Sequence, residues 1–260
     1  MVHDTAVSID PAAKMVKTKG GQSIKYDRCV VSPGVDFRYD TIEGYDAAAA
    51  EKVPHAWHAG PQTALLRKQL EAMPDGGTFV LTAPPNPIRC PPGPYERASL
   101  VANYFKNNKP KSKILILDAK DKFSKQGLFV AGWEKHYGYG TDNSMIEWRS
   151  KASDGTARAV KADSRTVVTE FDEIKADVLN VIPAQKAGHI AEVAGLTDES
   201  GWCPVDHLTW ESKLHKDIHV IGDAAIQKPL PKSGYAANSE AKVCAAAIVA
   251  LLNGKSPVCL

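Results

Sequence analysis

An acidic residue follows an apolar segment near the C-terminal end of the sequence. Ile218, Val220 and Ile221 predict a buried strand, and Gly222 and Asp223 come directly after it. A carboxylate at a strand end can accept hydrogen bonds from the hydroxyl groups of a polyol. The pattern favours the ribityl chain of a flavin as that polyol, and the simpler alternative is that Asp223 only caps a helix.

A long helix is predicted shortly after this acid. Ser233, Gly234 and Tyr235 open it, and an alanine-rich run over residues 236–252 continues it. The first N–H groups of a helix have no carbonyl partner within the helix and favour nearby negative charge. We therefore expect this helix start to contact the electron-rich ring of a flavin.

A cysteine and a glutamate lie close to the predicted start of another helix. Cys90 stands between prolines, in the loop after the strand predicted at 78–82, and Glu96 begins the helix predicted at 96–105. A helix N-terminus lowers the pKa of a nearby thiol. Cys90 is therefore a candidate redox thiol or disulfide partner; the alternatives are a solvent-facing loop cysteine and, for Glu96, a carboxylate that only offsets the helix dipole.

The same loop argues against a nicotinamide cofactor. A dinucleotide site needs the pattern GxGxxG here, because glycines let the backbone approach the pyrophosphate. Prolines have no N–H donor, and they fix the backbone angle φ. The prolines that fill the loop are Pro84, Pro85, Pro87, Pro91, Pro92 and Pro94.

Bulk properties exclude several other classes of function. The net charge of +2 over 260 residues argues against a nucleic-acid partner held by charge. No run of about 18 apolar residues occurs, so no membrane span is predicted, and residues 243–252 are expected to form a packed helix. No signal-peptide pattern and no metal-ligand spacing is present. The five cysteines are Cys29, Cys90, Cys203, Cys244 and Cys259.

The order of predicted elements indicates an α/β protein with one domain inserted into another. Strands and helices alternate over residues 45–184, with a small antiparallel insert of strand-like, polar sequence at 145–172, as in a nucleotide-binding α/β domain. Residues 1–44 and 185–260 flank this segment, and we expect them to form two parts of a second domain. The predicted domains are therefore 1–44, 45–184 and 185–260.

Four motifs carry a resemblance to a known family. They are YDRCVVSPG at 26–34, CPPGPYE at 90–96, GWCPVD at 201–206 and the segment at 221–235. The chain resembles the flavoprotein subunit of flavocytochrome c sulfide dehydrogenase, which is related to sulfide:quinone oxidoreductase. The resemblance implies a two-dinucleotide-binding-domain, glutathione-reductase-like fold, whose FAD domain is split by an inserted NAD-like Rossmann domain. It also implies oxidation of sulfide, electron transfer through FAD to a cytochrome c haem subunit, and a periplasmic location.

The resemblance also assigns roles to individual residues. Cys90 corresponds to the first cysteine of a redox disulfide beside the flavin, and Glu96 corresponds to an acid that manages protons. Asp223 corresponds to the carboxylate on the ribityl chain. The implied cofactor-binding residues are Ser32, Pro33 and Gly34 in a turn that closes on the dinucleotide, Gly222 and Asp223, and Lys232, Ser233, Gly234 and Tyr235 at the helix start.

The chain departs from that family at both ends. The family's N-terminal βαβ unit with GxGxxG, its flavin-linking cysteine and its C-terminal interface domain with the second redox cysteine are not found, and Cys259 is not expected to replace that cysteine. Two alternatives stay open: a catalytically inert fragment that folds without FAD, and an enzyme like the pyridine-nucleotide disulfide reductases. The proline loop and the absence of CxxxxC disfavour the second alternative.

Overall fold

The computed structural model describes residues 1–258 and divides the chain into two compact units. Unit 1 combines Met1–Phe37 with the segment from Gln185 onward, and unit 2 is Arg38–Ala184. The chain thus leaves unit 1 once and returns to it once. The assignment of these units as an FAD domain and an NAD-like domain stays a prediction.

The described residues form short strands and a few longer helices. The strands are β1 (Ala6–Asp10), β2 (Met15–Thr18), β3 (Ser23–Lys25), β4 (Cys29–Val31), β5 (Val35–Arg38), β6 (Thr78–Ala83), β7 (Lys113–Asp118), β8 (Ile146–Arg149), β9 (Ala159–Lys161), β10 (Thr166–Val168), β11 (Glu173–Lys175), β12 (Val178–Val181), β13 (Ala184–Ala187), β14 (Cys203–Pro204), β15 (Ile218–Val220) and β16 (Ala225–Ile226). The helices are α1 (Ala47–Ala50), α2 (Pro61–Ala72), α3 (Gly93–Asn108), α4 (Gln126–Tyr137), α5 (His189–Val193) and α6 (Gly234–Leu252).

Unit 2 is built on a parallel sheet of four strands in the order β12-β6-β7-β8. The central strands β6 and β7 are almost wholly buried, which explains their continuous apolar sequences. Helix α3 follows β6 and α4 follows β7, as in a βαβ arrangement. A separate antiparallel sheet, β9 to β11, forms the predicted insert.

Two element boundaries that were predicted from the sequence of unit 2 are wrong. The prediction assigned residues 145–172 entirely to the polar insert, whereas β8 is the edge strand of the parallel sheet. An edge strand has one exposed side, so Glu147 and Arg149 gave it a polar appearance. Helix α3 begins at Gly93 and not at Glu96, because the proline at the second helical position is compatible with the first turn.

Unit 1 combines a small hairpin sheet with short parallel pairs. Strands β1, β2 and β3 form the antiparallel sheet, and the turn at residues 19–21 lies between β2 and β3. The two parallel pairs are β4 with β15 and β14 with β16. Its buried core includes Trp202, Trp210 and the strand residues Ile218 and Val220.

Helix α6 begins at Gly234, as predicted, and includes the apolar run at residues 243–252. Among the described residues it is the one helix that could cross a membrane by length and composition, with a mean hydropathy of 1.3. One such helix is weak evidence for a span, and only 22% of the window is buried within the structure. Its buried positions are Ala236, Glu240, Cys244 and Ala247, which form a stripe at helical spacing.

Candidate functional site

Two parallel strands bring two of the predicted motifs together in unit 1. Strand β4 pairs with β15 so that Val31 lies opposite Val220, and the Ile221 amide donates to the Val31 carbonyl at 3.2 Å. Residues 32–34 follow one strand and residues 222–223 follow the other. Because parallel strands end at the same edge, these segments lie at one edge of the pair.

A sharp turn carries Asp223 out of the strand. Gly222–Ala224 forms a single 3-10 turn in which Gly222 has a φ of +73°, a backbone conformation that favours glycine. Asp223 is half-buried at the centre of this turn. The helix-cap alternative is wrong, because the next helix is α6 and its cap is Ser233.

A buried carboxylate that the sequence did not single out fixes this turn. The Gly222 amide donates a hydrogen bond of 2.6 Å to Oε2 of Glu240, whose side chain comes from the buried stripe of α6. Burial raises the pKa of Glu240. A lone acid within an otherwise apolar helical stripe is the sequence signal that could have identified it.

Lys232 stabilises the same turn through hydrogen bonds to backbone carbonyl groups. The ammonium group donates to the carbonyls of Asp223 and Ala225, both at 2.7 Å, and lies 3.7 Å from the centre of the Trp202 ring. The residue is only 8% exposed, and this burial lowers its pKa to about 8. Lys232 therefore holds the backbone that presents Asp223, a role that the sequence did not predict.

The motif GWCPVD supplies the tryptophan, Trp202, that Lys232 contacts. Its strand β14 pairs with β16, so that Cys203 lies opposite Ala225. Trp202 and Cys203 are both buried, and burial raises the pKa of Cys203 to about 12. Cys203 is thus a packed thiol in this structure, and its neighbour Trp202 makes the contact with the lysine.

The start of α6 has the geometry predicted for it. Ser233 is the cap, and its hydroxyl accepts a hydrogen bond of 3.2 Å from the Ala236 amide. Gly234 and Tyr235 stand in the first turn, where amides have no carbonyl one turn earlier in the helix. Tyr235 is 86% exposed, so its ring is available to a ligand.

The turn at residues 32–34 packs against a second glycine of unit 1. Gly34 has a φ of +70°, and its carbonyl accepts a hydrogen bond of 3.0 Å from the Gly188 amide. A Cβ atom on Gly188 would lie 2.7 Å from the Pro33 carbonyl oxygen, so only glycine permits this approach. Ser32 is exposed beside the turn.

The donors and acceptors of unit 1 fit the ribityl chain and ring edge of FAD. A half-buried carboxylate, a glycine turn with positive φ and a helix N-terminus are the chemical groups that such a ligand requires. The residues that would hold it are Asp223 with Gly222, and Ser233, Gly234 and Tyr235.

Unit 2 contains the other two predicted site residues. Cys90 adopts a φ of +55°, and its carbonyl accepts a hydrogen bond of 2.8 Å from the amide of Gly93, the first residue of α3. The thiol therefore belongs to the turn that leads into the helix, as expected. Glu96 lies in the first turn of α3 and is exposed.

A closed polar network stands at the end of β7. Asp118 is fully buried and accepts hydrogen bonds from the Tyr95 hydroxyl at 2.5 Å and from Trp148 Nε1 at 3.0 Å. Its other oxygen forms an ion pair of 2.7 Å with Lys120. In dinucleotide-binding folds, an acid at this strand end binds a ribose hydroxyl. Here the carboxylate is already engaged by three side chains.

Comparisons with known proteins point to one group of flavoproteins. Residues 63–183 match the family model described as the central part of the sulfide dehydrogenase (flavocytochrome c) flavoprotein chain. A mitochondrial sulfide:quinone oxidoreductase from Dictyostelium discoideum is 20% identical over 253 residues. The match covers 93% of this chain and 53% of that protein, so the chain spans about half the length of this relative.

The chain is a relative of these flavoproteins. The solved structure of sulfide:quinone oxidoreductase from Aquifex aeolicus matches 97% of this chain and 61% of its own, at 18% identity and a TM-score of 0.75. A NAD-dependent persulfide reductase from A. fulgidus matches 99% and 46%, at 19% identity and a TM-score of 0.66. The predicted α/β, two-dinucleotide-binding-domain fold is confirmed.

Proposed function

We propose that this relative of sulfide:quinone oxidoreductase takes part in the oxidation of sulfide, with electrons leaving through FAD to a cytochrome c haem subunit. The proposal is supported by the position of Cys90 in the turn that leads into the N-terminus of α3. It is also supported by the family match over residues 63–183. A thiol in that place has a physical reason to ionise.

Sulfur chemistry is assigned to Cys90. A hydrosulfide ion attacks a disulfide that contains this residue, and the attack forms a persulfide and releases the other sulfur as a thiolate. The disulfide partner is to be sought among cysteines outside the described residues or in another chain. Glu96, exposed in the first turn of α3, is proposed as the group that exchanges protons with solvent.

Cofactor binding is assigned to unit 1. FAD, when bound, supplies an acceptor for the two electrons that sulfide gives up. The Asp223 carboxylate would accept hydrogen bonds from the ribityl hydroxyls, while the helix start at Ser233 and Gly234 would favour negative charge at the ring edge. Ser32, Pro33 and Gly34 would close on the dinucleotide. The haem-subunit partner and a periplasmic location complete the proposal and rest on the resemblance alone.

Flavin uptake and sulfide-dependent reduction test the proposal in two steps. The purified chain is mixed with FAD, and quenching of flavin fluorescence measures binding. Sulfide is then added without oxygen, and bleaching of the flavin absorbance measures reduction. Binding followed by bleaching is expected; a folded chain that takes up no FAD would contradict the cofactor assignment.

A pair of cysteine variants tests the assignment of Cys90. Cys90→Ser is expected to retain FAD and to lose sulfide-dependent bleaching. The matched control is Cys29→Ser, which changes a half-buried cysteine in unit 1 and is expected to keep both properties. Equal bleaching in the two variants would remove Cys90 from the mechanism.

A further inference from the structure

The edge of one tryptophan ring lies against the helix turn that carries Cys90. A Cβ atom placed on Gly93 would lie 2.7 Å from Cη2 and 3.0 Å from Cζ2 of Trp57, and 3.3 Å from the Cys90 sulfur. Real Cβ atoms essentially never approach another atom within 3.0 Å. Gly93 therefore provides the space in which the indole edge and the thiol lie side by side.

The indole also holds the loop on the other side of Cys90. Trp57 Nε1 donates a hydrogen bond of 3.3 Å to the carbonyl of Arg89, the residue directly before the cysteine. The ring thus contacts the chain both before and after Cys90. This double contact restricts the backbone of Cys90, whose φ of +55° is uncommon for a residue other than glycine.

Arg97 fixes the tryptophan in turn. Its guanidinium carbon lies 4.8 Å from the centre of the Trp57 ring, a cation–π distance. The same group donates to the carbonyls of His55 and Ala56, at 2.9 Å and 2.6 Å, and to Oδ1 of Asn180 at 2.8 Å. Arg97 thereby ties the segment before Trp57 to α3, which begins beside Cys90.

We propose that Trp57 is a positioning residue for Cys90, and that Gly93 is required because it admits the indole edge beside the thiol. The proposal rests on the sulfur chemistry proposed for Cys90. In it, the indole keeps the sulfur at the N-terminus of α3, where the helix amides favour the thiolate. Trp57 does not take part in the reaction directly. It acts by holding the loop that contains Cys90.

Gly93→Ala is the most direct test. Alanine suits a helix at least as well as glycine does, so the added methyl group acts by collision with Trp57 and Cys90 and not through the backbone. We expect alkylation of Cys90 by iodoacetamide at pH 7 to slow about tenfold, the effect of raising a thiol pKa by one unit. The rate is followed by peptide mass spectrometry across pH, with Cys29 in the same digest as an unaffected reference.

A compensating variant separates positioning from a general loss of structure. In Trp57→Phe the outer edge of the indole is removed, and with it the two atoms that a Cβ at Gly93 would meet. We expect Trp57→Phe to slow alkylation by itself, because the bond to the Arg89 carbonyl is lost. Adding Gly93→Ala to Trp57→Phe is expected to cause little further change.

The outcome is decided by Cys90 reactivity alone, without sulfide, FAD or cytochrome. A Gly93→Ala chain whose Cys90 keeps the rate and pH profile of the unmodified chain would overturn the positioning role. The positioning role would also be overturned if Gly93→Ala slowed alkylation of Cys90 equally in the chain with Trp57 and in the Trp57→Phe variant. Failure of the proposed function would instead appear as sulfide oxidation that survives Cys90→Ser, with the alkylation results unchanged.

Discussion

The ammonium group of Lys232 lies 3.7 Å from the centre of the Trp202 ring while it donates to the backbone carbonyls on either side of Ala224. The lysine therefore links three segments of unit 1: the turn with Asp223, the loop before α6 and the strand with Cys203. A cation in this buried place stabilises a backbone conformation, and the carboxylate of Asp223 is presented as a result.

Replacement of Lys232 by methionine should loosen that turn. The variant keeps the length of the side chain but leaves two carbonyls without their donor, at a cost of about 1–3 kcal/mol for each that stays buried. We expect a lower midpoint of urea unfolding and weaker FAD binding. The control is Lys242→Met, which makes the same change at an exposed position of α6. Equal stability of the two variants would contradict the bracing role.

Substitution of Glu240 tests the bond to the Gly222 amide. In Glu240→Gln an acceptor oxygen remains, whereas in Glu240→Ala the amide loses its partner. We expect Glu240→Ala to weaken FAD binding about tenfold, the equivalent of one hydrogen bond, and Glu240→Gln to change it less. Asn238→Ala, at an exposed position of the same helix, is the control for fluorescence titration. The prediction is wrong if the alanine and glutamine variants bind alike.

Acid should destabilise unit 2 through His55. Burial first, and then the charges of His58 and Arg97, lower the pKa of His55 to about 4. Between pH 6.5 and 4 the unfolded chain binds a proton that the native chain does not, so stability falls as pH falls, by up to about 1.4 kcal/mol per pH unit.

Two histidine variants separate this effect from general acid sensitivity. In His55→Asn an acceptor is kept for the Trp57 amide, which donates to Nδ1 at 3.0 Å, but the titrating group is removed. We expect a shallower decline of stability between pH 6.5 and 4, as measured by urea unfolding. His136→Asn, at an exposed position of α4, should leave the decline unchanged. Identical pH profiles for His55→Asn and the unmodified chain would refute the assignment.

Asp118 should be among the most sensitive positions for stability. Removal of its carboxylate in Asp118→Ala leaves the half-buried Lys120 and the Tyr95 hydroxyl without their partner, and losing the buried member of an ion pair costs up to about 3–5 kcal/mol. Asp118→Asn keeps an acceptor oxygen and should cost less. Asp142→Asn, an exposed change in the same unit, is the control in chemical denaturation. A loss below about 1 kcal/mol in the alanine variant would contradict the network.

The same network predicts that the chain does not bind NADH. The loop after β6 is filled with prolines, and the acid at the end of β7 already holds Tyr95, Trp148 and Lys120. Titration of NADH fluorescence should show no saturation at micromolar protein. Saturable binding would revive the alternative of a pyridine-nucleotide disulfide reductase.

Local signals predicted much of this structure. The strand predicted at 78–82 is β6, and the Ser233–Gly234 step is the cap and start of α6. Both depend on nearest neighbours in the sequence, through burial and capping. Strand β8 was missed because its exposed edge alternates charged with apolar residues, which resembles a surface hairpin.

The supports of the site depend on contacts between distant segments and were not predicted. Lys232 meets Trp202, and Arg97 meets Asn180, across long stretches of sequence. The spacing of apolar residues along the sequence does not indicate which distant residues contact each other. Taken alone, Lys232 and Arg97 are each compatible with a position on the surface. Glu240 is different, because its place in the apolar stripe of α6 was visible in the sequence.

The pairing of β4 with β15 joins segments that stand before and after unit 2 in the chain. During synthesis, Cys29–Val31 leaves the ribosome long before Ile218–Val220, and the whole of Arg38–Ala184 is made in between. Unit 2 can complete its sheet in that interval, because β6, β7, β8 and β12 all belong to that stretch. A ligand held by residues 222–235 can therefore be incorporated only after the whole of Arg38–Ala184 has been made.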